Sequence, residues 1–86
     1  HARATVGEDH AMTAIFLSNQ GLCLSRMGRF GEARATLEDA HRRLLATFGP
    51  EHARTLAAAE RLAEVYRKLG LEEKADALPI RAAAGA

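Results

Sequence analysis

Shifted against itself by 42 residues, the chain brings 4–11 (Ala-Thr-Val-Gly-Glu-Asp-His-Ala) onto 46–53 (Ala-Thr-Phe-Gly-Pro-Glu-His-Ala). Ten of the 44 aligned pairs are identical, and five of these are alanine pairs that an alanine-rich chain supplies cheaply. The other five are Thr5/Thr47, Gly7/Gly49, His10/His52, Thr13/Thr55 and Gly28/Gly70, four of them inside one nine-residue window. A stride of this size marks stacked supersecondary units, because one unit leaves an apolar face that only a neighbour can bury.

The glycines punctuate the stride. Gly7, Gly28, Gly49 and Gly70 each follow an apolar residue that ends a helical pattern, where a glycine accepts the left-handed conformation that closes a helix. Pro50 strengthens the stop after Gly49. Between them the apolar residues recur at intervals of three and four. The first helix, about 10–27, carries Met12, Phe16, Leu17, Leu24 and Met27 on one side. The second, about 30–48, carries Phe30, Ala33, Leu37, Ala40, Leu44 and Phe48. The third, about 52–69, carries Leu56, Ala59, Leu62, Ala63, Tyr66 and Leu69, and the last, about 72–83, carries Ala75, Leu78 and Ala82. Pro79 is expected to kink or restart this last helix.

The expected fold is all-α, with antiparallel helix–turn–helix pairs stacked as an α-solenoid of about four helices plus an N-terminal helical stub. Residues 1–6 read as the end of a preceding repeat's second helix, 7–48 as repeat 1, and 49–86 as repeat 2 in a terminal position. Short turns make each pair antiparallel.

Composition excludes several classes. The net charge is +1 with acids and bases interspersed, whereas nucleic-acid binding needs clustered cations. Cys23 is the single cysteine, so no internal disulfide or four-cysteine metal site forms. No apolar run approaches the roughly 20 residues of a membrane span, no segment reads as a signal peptide, and the expected location is cytoplasmic. Phe16, Phe30, Phe48 and Tyr66 are the aromatics, so the core falls to leucine, methionine and alanine, which suits closely stacked helices. Arginine and alanine usage hints at a GC-rich bacterial coding sequence.

The spacing Leu17, Gly21, Leu24, Gly28-Arg29-Phe30, Ala33, Leu37, Ala40 resembles the tetratricopeptide repeat, with a second copy in Ala59, Ala63, Tyr66, Gly70, Ala75, Ala82. The 42-residue period and the linkers Gly-Glu-Asp-His-Ala and Gly-Pro-Glu-His-Ala resemble the kinesin light chain subclass. The sequence departs from the pattern at Gln20, where leucine is usual, at Glu72, where an aromatic is usual and Leu71 stands one position away, and at Pro79, opposite Leu37 of the first copy. A terminal repeat commonly departs in this way.

The resemblance implies a right-handed superhelix whose first helices line a concave groove that takes extended or helical peptides. Carried onto this sequence, the groove face presents Ile15, Ser18, Asn19, Leu22, Ser25 and Arg26, then Ala57, Glu60, Arg61, Glu64, Arg67 and Lys68. Asn19 matches the family's groove asparagine, whose amide donates and accepts at once and so pairs with a peptide bond. Arg26, Arg61 and Lys68 suit a carboxylate. The plainer reading is a solvated face on which Glu60 and Arg61, or Glu64 and Lys68, pair along the helix.

His10 and His52 recur one period apart, too far apart to share a metal, and suit helix-start packing or capping. His41 with Arg42 and Arg43 is a mildly basic surface lacking the further cations or aromatic platform of a nucleic-acid site. Cys23 is expected to be a small buried hydrophobe. No phosphate loop or nucleophile elbow is present. The expectation is therefore a non-enzymatic module with no cofactor and no metal, whose partner is a protein or peptide. The alternative is a structural segment that spaces domains or self-associates. Two repeats fall short of the usual three, so the chain is expected to be cut from a longer protein or to dimerise through the open ends of its stack.

Overall fold

The computed structural model describes residues 6–78, with side chains from Ala11 onward. Four helices follow in order: α1 (Val6–Arg26), α2 (Phe30–Phe48), α3 (Ala53–Lys68) and α4 (Glu72–Asp76). No strand occurs among the described residues. Each helix packs on the next in the chain, and α1 touches α3 more lightly.

The two turns inside the helix pairs close in the same way. At the end of α1 the Arg29 N–H donates to Leu24 O at 2.9 Å and the Gly28 N–H to Ser25 O at 3.0 Å. At the end of α3 the Leu71 N–H donates to Tyr66 O at 2.7 Å and the Gly70 N–H to Arg67 O at 3.0 Å. Both are Schellman closures, with Gly28 and Gly70 at φ 82°. Leu71 completes the second by packing on the cluster that holds Tyr66. It thereby fills the place that Phe30 holds in the first repeat, while Glu72 stays exposed.

The core runs along α2 and α3. Ala33, Leu37, Ala40 and Leu44 are buried along one side of α2, and Thr55, Ala58, Ala59, Leu62, Ala63, Val65 and Tyr66 on α3. Leu37 sits with Leu62, Ala63, Val65 and Tyr66 in one cluster, and Leu44 with Ala14 and Ala58 in another. The buried Thr55 hydroxyl donates to Leu44 O at 3.2 Å, which ties α3 to α2.

Three sequence expectations are corrected. On α1, Met12, Phe16 and Met27 do not face the core, being 68%, 63% and 60% exposed. The packed side is instead Ala14, Ser18 and Gly21. A β-carbon on Gly21 would lie 2.4 Å from Leu37 Cγ, so α2 approaches too closely for a larger residue and the bulky side chains are left on the far side. Cys23 shares that far side and is exposed. Second, Gly7 lies inside α1 rather than closing a helix, because the helix runs from Val6 straight through it. Residues 1–5 of the expected stub lie outside the described residues. Third, α4 ends at Asp76, short of the expected 83. A proline at 79 clashes with the Ala75 carbonyl of a continuing helix and disfavours helical backbone at Leu78. Residues 79–86 lie outside the described residues.

Candidate functional site

Arg61 reaches from α3 across to α1. Its Nη1 donates to Ser18 Oγ at 2.9 Å and makes a longer contact, 3.4 Å, with Asn19 Oδ1. The two partners come from the preceding repeat, and Asn19 stands one 42-residue period before Arg61. Beside this bridge lies a recess of about 70 Å³ lined by Ile15, Ser18, Asn19, Leu44, Arg54, Ala57 and Arg61. Apolar Ile15, Leu44 and Ala57 form one part of its lining. A hydroxyl, an amide and two guanidiniums form the rest.

The recess is built by the helix period. Ile15, Ser18 and Asn19 lie three and four apart on α1, as Arg54, Ala57 and Arg61 do on α3, so each set shares a face. Leu44 enters from α2 behind them. Arg54 and Arg61 have no carboxylate within 4 Å among the described residues. Two uncompensated guanidiniums beside an apolar floor suit a planar anionic or carbonyl group.

The expected groove residues divide. Ser18, Asn19 and Arg61 converge on the recess, with Ile15 and Ala57. Ser18 is only 5% exposed, so its hydroxyl positions Arg61 rather than standing free in a groove. Leu22 is half-buried, and Arg26, Glu60, Glu64 and Lys68 are exposed and outside the recess. Arg67 turns away toward α4, with Glu72 and Asp76 each 3.9 Å from it. The alternative pairings of Glu60 with Arg61 and Glu64 with Lys68 do not form. Sequence reading missed Arg54 and Leu44. Arg54 was within reach, since it lies three residues before Ala57 on the same face. Leu44 was not, because it arrives from another helix.

Other singled-out residues have structural roles. His52 Nδ1 accepts from the Arg54 N–H at 3.1 Å and caps α3, and its ring stacks on Phe48 at 4.2 Å between centroids. The side chain of His10 lies outside the described ones. Arg42 and Arg43 both pair with Asp39, which neutralises much of the basic surface beside His41. No group of three or more His, Cys, Asp or Glu side chains is placed to hold a metal among the described residues. No helix among them is long and apolar enough to cross a membrane.

The tetratricopeptide repeat family model matches residues 12–82. The chain belongs to the tetratricopeptide repeat family. No curated protein and no solved structure matches it. As a tetratricopeptide repeat domain it falls among protein-interaction modules, and the bridge from Arg61 to Ser18 lies between the first helices of its two repeats.

Proposed function

We propose that this domain binds a segment of another protein along the face shared by α1 and α3. Asn19 meets the backbone of the bound chain, and Arg61 with Arg54 meets a carboxylate or carbonyl of it. The observation that carries this reading is the Arg61–Ser18 bridge of 2.9 Å. It holds one guanidinium over a recess to which both repeats contribute, with no carboxylate within 4 Å of it among the described residues. Among the described residues the recess is lined by apolar groups, a hydroxyl, an amide and two guanidiniums, groups suited to holding a peptide backbone or a carboxylate. The 42-residue stride and the two Gly-x-x-His-Ala linkers support the kinesin light chain-like form of the repeat, in a cytoplasmic array that extends beyond these two units.

Selection from a random peptide display library tests the groove. Wild-type protein is expected to enrich a family of sequences that a variant carrying Asn19→Ala and Arg61→Glu does not enrich. Equal enrichment by both removes the groove reading.

A second reading has its own support. The exposed Met12, Phe16 and Met27 of α1 favour self-association through an open end of the stack.

A further inference from the structure

The recess beside the Arg61–Ser18 bridge has a size as well as a charge. Its volume is about 70 Å³, and its apolar part comes from Ile15 on α1, Ala57 on α3 and Leu44 on α2. A benzene ring is held by a cavity of about 150 Å³, roughly twice this one. The recess therefore takes a methyl or isopropyl group and leaves an aromatic ring outside.

The internal repeat shows which residue sets that size. Ala57 stands one 42-residue period after Ile15, so the two hold the same helix position in successive units. An isoleucine in both units would push a longer side chain into the recess from the α3 wall and fill it. The polar groups are also divided between the helices. The α1 wall contributes neutral Ser18 and Asn19, and the α3 wall contributes Arg54 and Arg61. These arginines stand three residues before Ala57 and four after it, so all three share one face of α3. No carboxylate lies within 4 Å of either guanidinium among the described residues.

Resting on the reading that this face binds a protein segment, we propose that the segment is acidic and aliphatic, with Ala57 as the residue that selects it. An alanine or valine side chain sits over Ala57, and an Asp or Glu two residues away meets Arg61. Same-face residues of an extended strand recur about every 6.6 Å. Ala57 and Arg61 are about 6 Å apart along α3 at 1.5 Å per residue. An extended segment lying in the furrow between α1 and α3 thus sets both groups in place at once. Asn19 on the opposite wall meets the backbone between them, since its amide donates and accepts. Arg54, on the other side of Ala57, adds a second positive charge along the same line.

Parallel selections from one random peptide display library test this, using wild type, Ala57→Ile and Ile15→Ala. Wild type is expected to enrich sequences with Ala or Val two residues from Asp or Glu, and no aromatic in the place of the Ala or Val. Ala57→Ile is expected to bind a wild-type-enriched peptide at least tenfold more weakly, since a hydrophobic pocket distinguishes single methylenes by about that factor. Its helical circular dichroism should match wild type, because the first repeat carries isoleucine at the equivalent position. Ile15→Ala widens the recess and is expected to shift the preferred side chain to Leu or Met, a gain that loss of folding cannot produce. No enrichment by wild type, or the same enrichment by the Asn19→Ala, Arg61→Glu variant, overturns both this proposal and the groove reading. Peptides that depend on Arg61 but show no small aliphatic residue at that spacing overturn the size selection and leave the groove standing. Equal affinity of wild type and Ala57→Ile for those peptides does the same. Should Ala57→Ile fail to fold, the wild-type sequences and the Ile15→Ala shift decide, and an unchanged preference in Ile15→Ala overturns the proposal.

Discussion

The Tyr66 hydroxyl donates to Glu38 Oε2 at 2.7 Å, so that α3 is held to α2 by a charge-assisted bond at the edge of the core. Arg34 Nε donates to the same oxygen at 3.0 Å, and its guanidinium lies 5.8 Å from the centre of the Tyr66 ring. Burial pushes the Glu38 carboxyl up, but the Tyr66 hydroxyl and Arg34 outweigh it and hold it below the ordinary 4.5. Burial and the adjacent Glu38 carboxylate push the Tyr66 hydroxyl up to about 12. Tyr66→Phe keeps the ring and removes the bond. It should cost about 1–2 kcal/mol, read as a fall in Tm of several degrees.

The same pair sets a pH dependence with two limbs. Tyr66 has a raised folded-state value, so its contribution is fully present below the ordinary 10 and is lost as pH rises through about 12. A shift of that size corresponds to about 2–3 kcal/mol. Glu38 has a lowered value, so its contribution is present above the ordinary 4.5 and is lost as pH falls below it. Its side chain is 40% exposed, which makes the acid limb the shallower. Urea unfolding from pH 9 to 12 should show a steep alkaline decline in wild type and a flatter one in Tyr66→Phe. Equal slopes would contradict the assignment.

Gly21 and Gly28 are both glycines for different reasons, and substitution separates them. At Gly21 the added carbon meets Leu37 Cγ at 2.4 Å and Cδ2 at 2.6 Å. Gly21→Ala must move a fully buried leucine, and overpacking of this kind costs about 1–3 kcal/mol, partly offset by about 1 kcal/mol of better helix propensity. At Gly28 nothing lies within 4 Å of the added carbon, and Gly28→Ala is penalised only by its backbone at φ 82°, by about 1 kcal/mol. Leu37→Ala should relieve Gly21→Ala and leave Gly28→Ala unchanged, as a double-mutant cycle of denaturation free energies would reveal.

This contrast also explains how much of the fold was legible in the sequence. The α2 stripe of Ala33, Leu37, Ala40 and Leu44 and most of the α3 stripe are buried as their periodicity implies. The Gly28 and Gly70 turns close as their chemistry implies. On α1 the same rule pointed to the wrong side, because periodicity weighs bulk whereas α2 selected the smallest residues, Ala14, Ser18 and Gly21. At the candidate site, Asn19 and Arg61 were legible through spacing and family likeness. The loss of Arg67 to α4 and the entry of Leu44 depend on contacts between helices, which no single-helix pattern encodes.

Thr13 and Thr55 occupy equivalent positions in the two repeats and should respond differently to the same change. Thr55 is fully buried and its hydroxyl donates to Leu44 O. Thr13 is exposed. Replacement by valine keeps shape and β-branching. Thr55→Val should therefore cost about 1 kcal/mol for the lost buried bond, and Thr13→Val should stay within about 0.5 kcal/mol. Denaturation midpoints of the two variants decide it, and equal losses would mean that the buried bond contributes nothing.

Ser18 tests whether the recess is a positioned site or an incidental dent. Its hydroxyl accepts from Arg61 at 2.9 Å while the serine itself is nearly buried, so its part in binding is expected to run through the arginine. Ser18→Ala should leave stability within about 1 kcal/mol of wild type, yet release the guanidinium to swing into solvent. A held arginine loses little freedom on binding and a free one loses more, so affinity for a peptide enriched by the wild type should fall roughly tenfold, about 1.4 kcal/mol. Arg61→Ala should weaken binding further, and adding Ser18→Ala to it should then change nothing. Fluorescence polarisation with the four proteins completes the cycle. Additive losses would show that Ser18 and Arg61 act separately, and the bridge would then be a packing contact with no part in recognition.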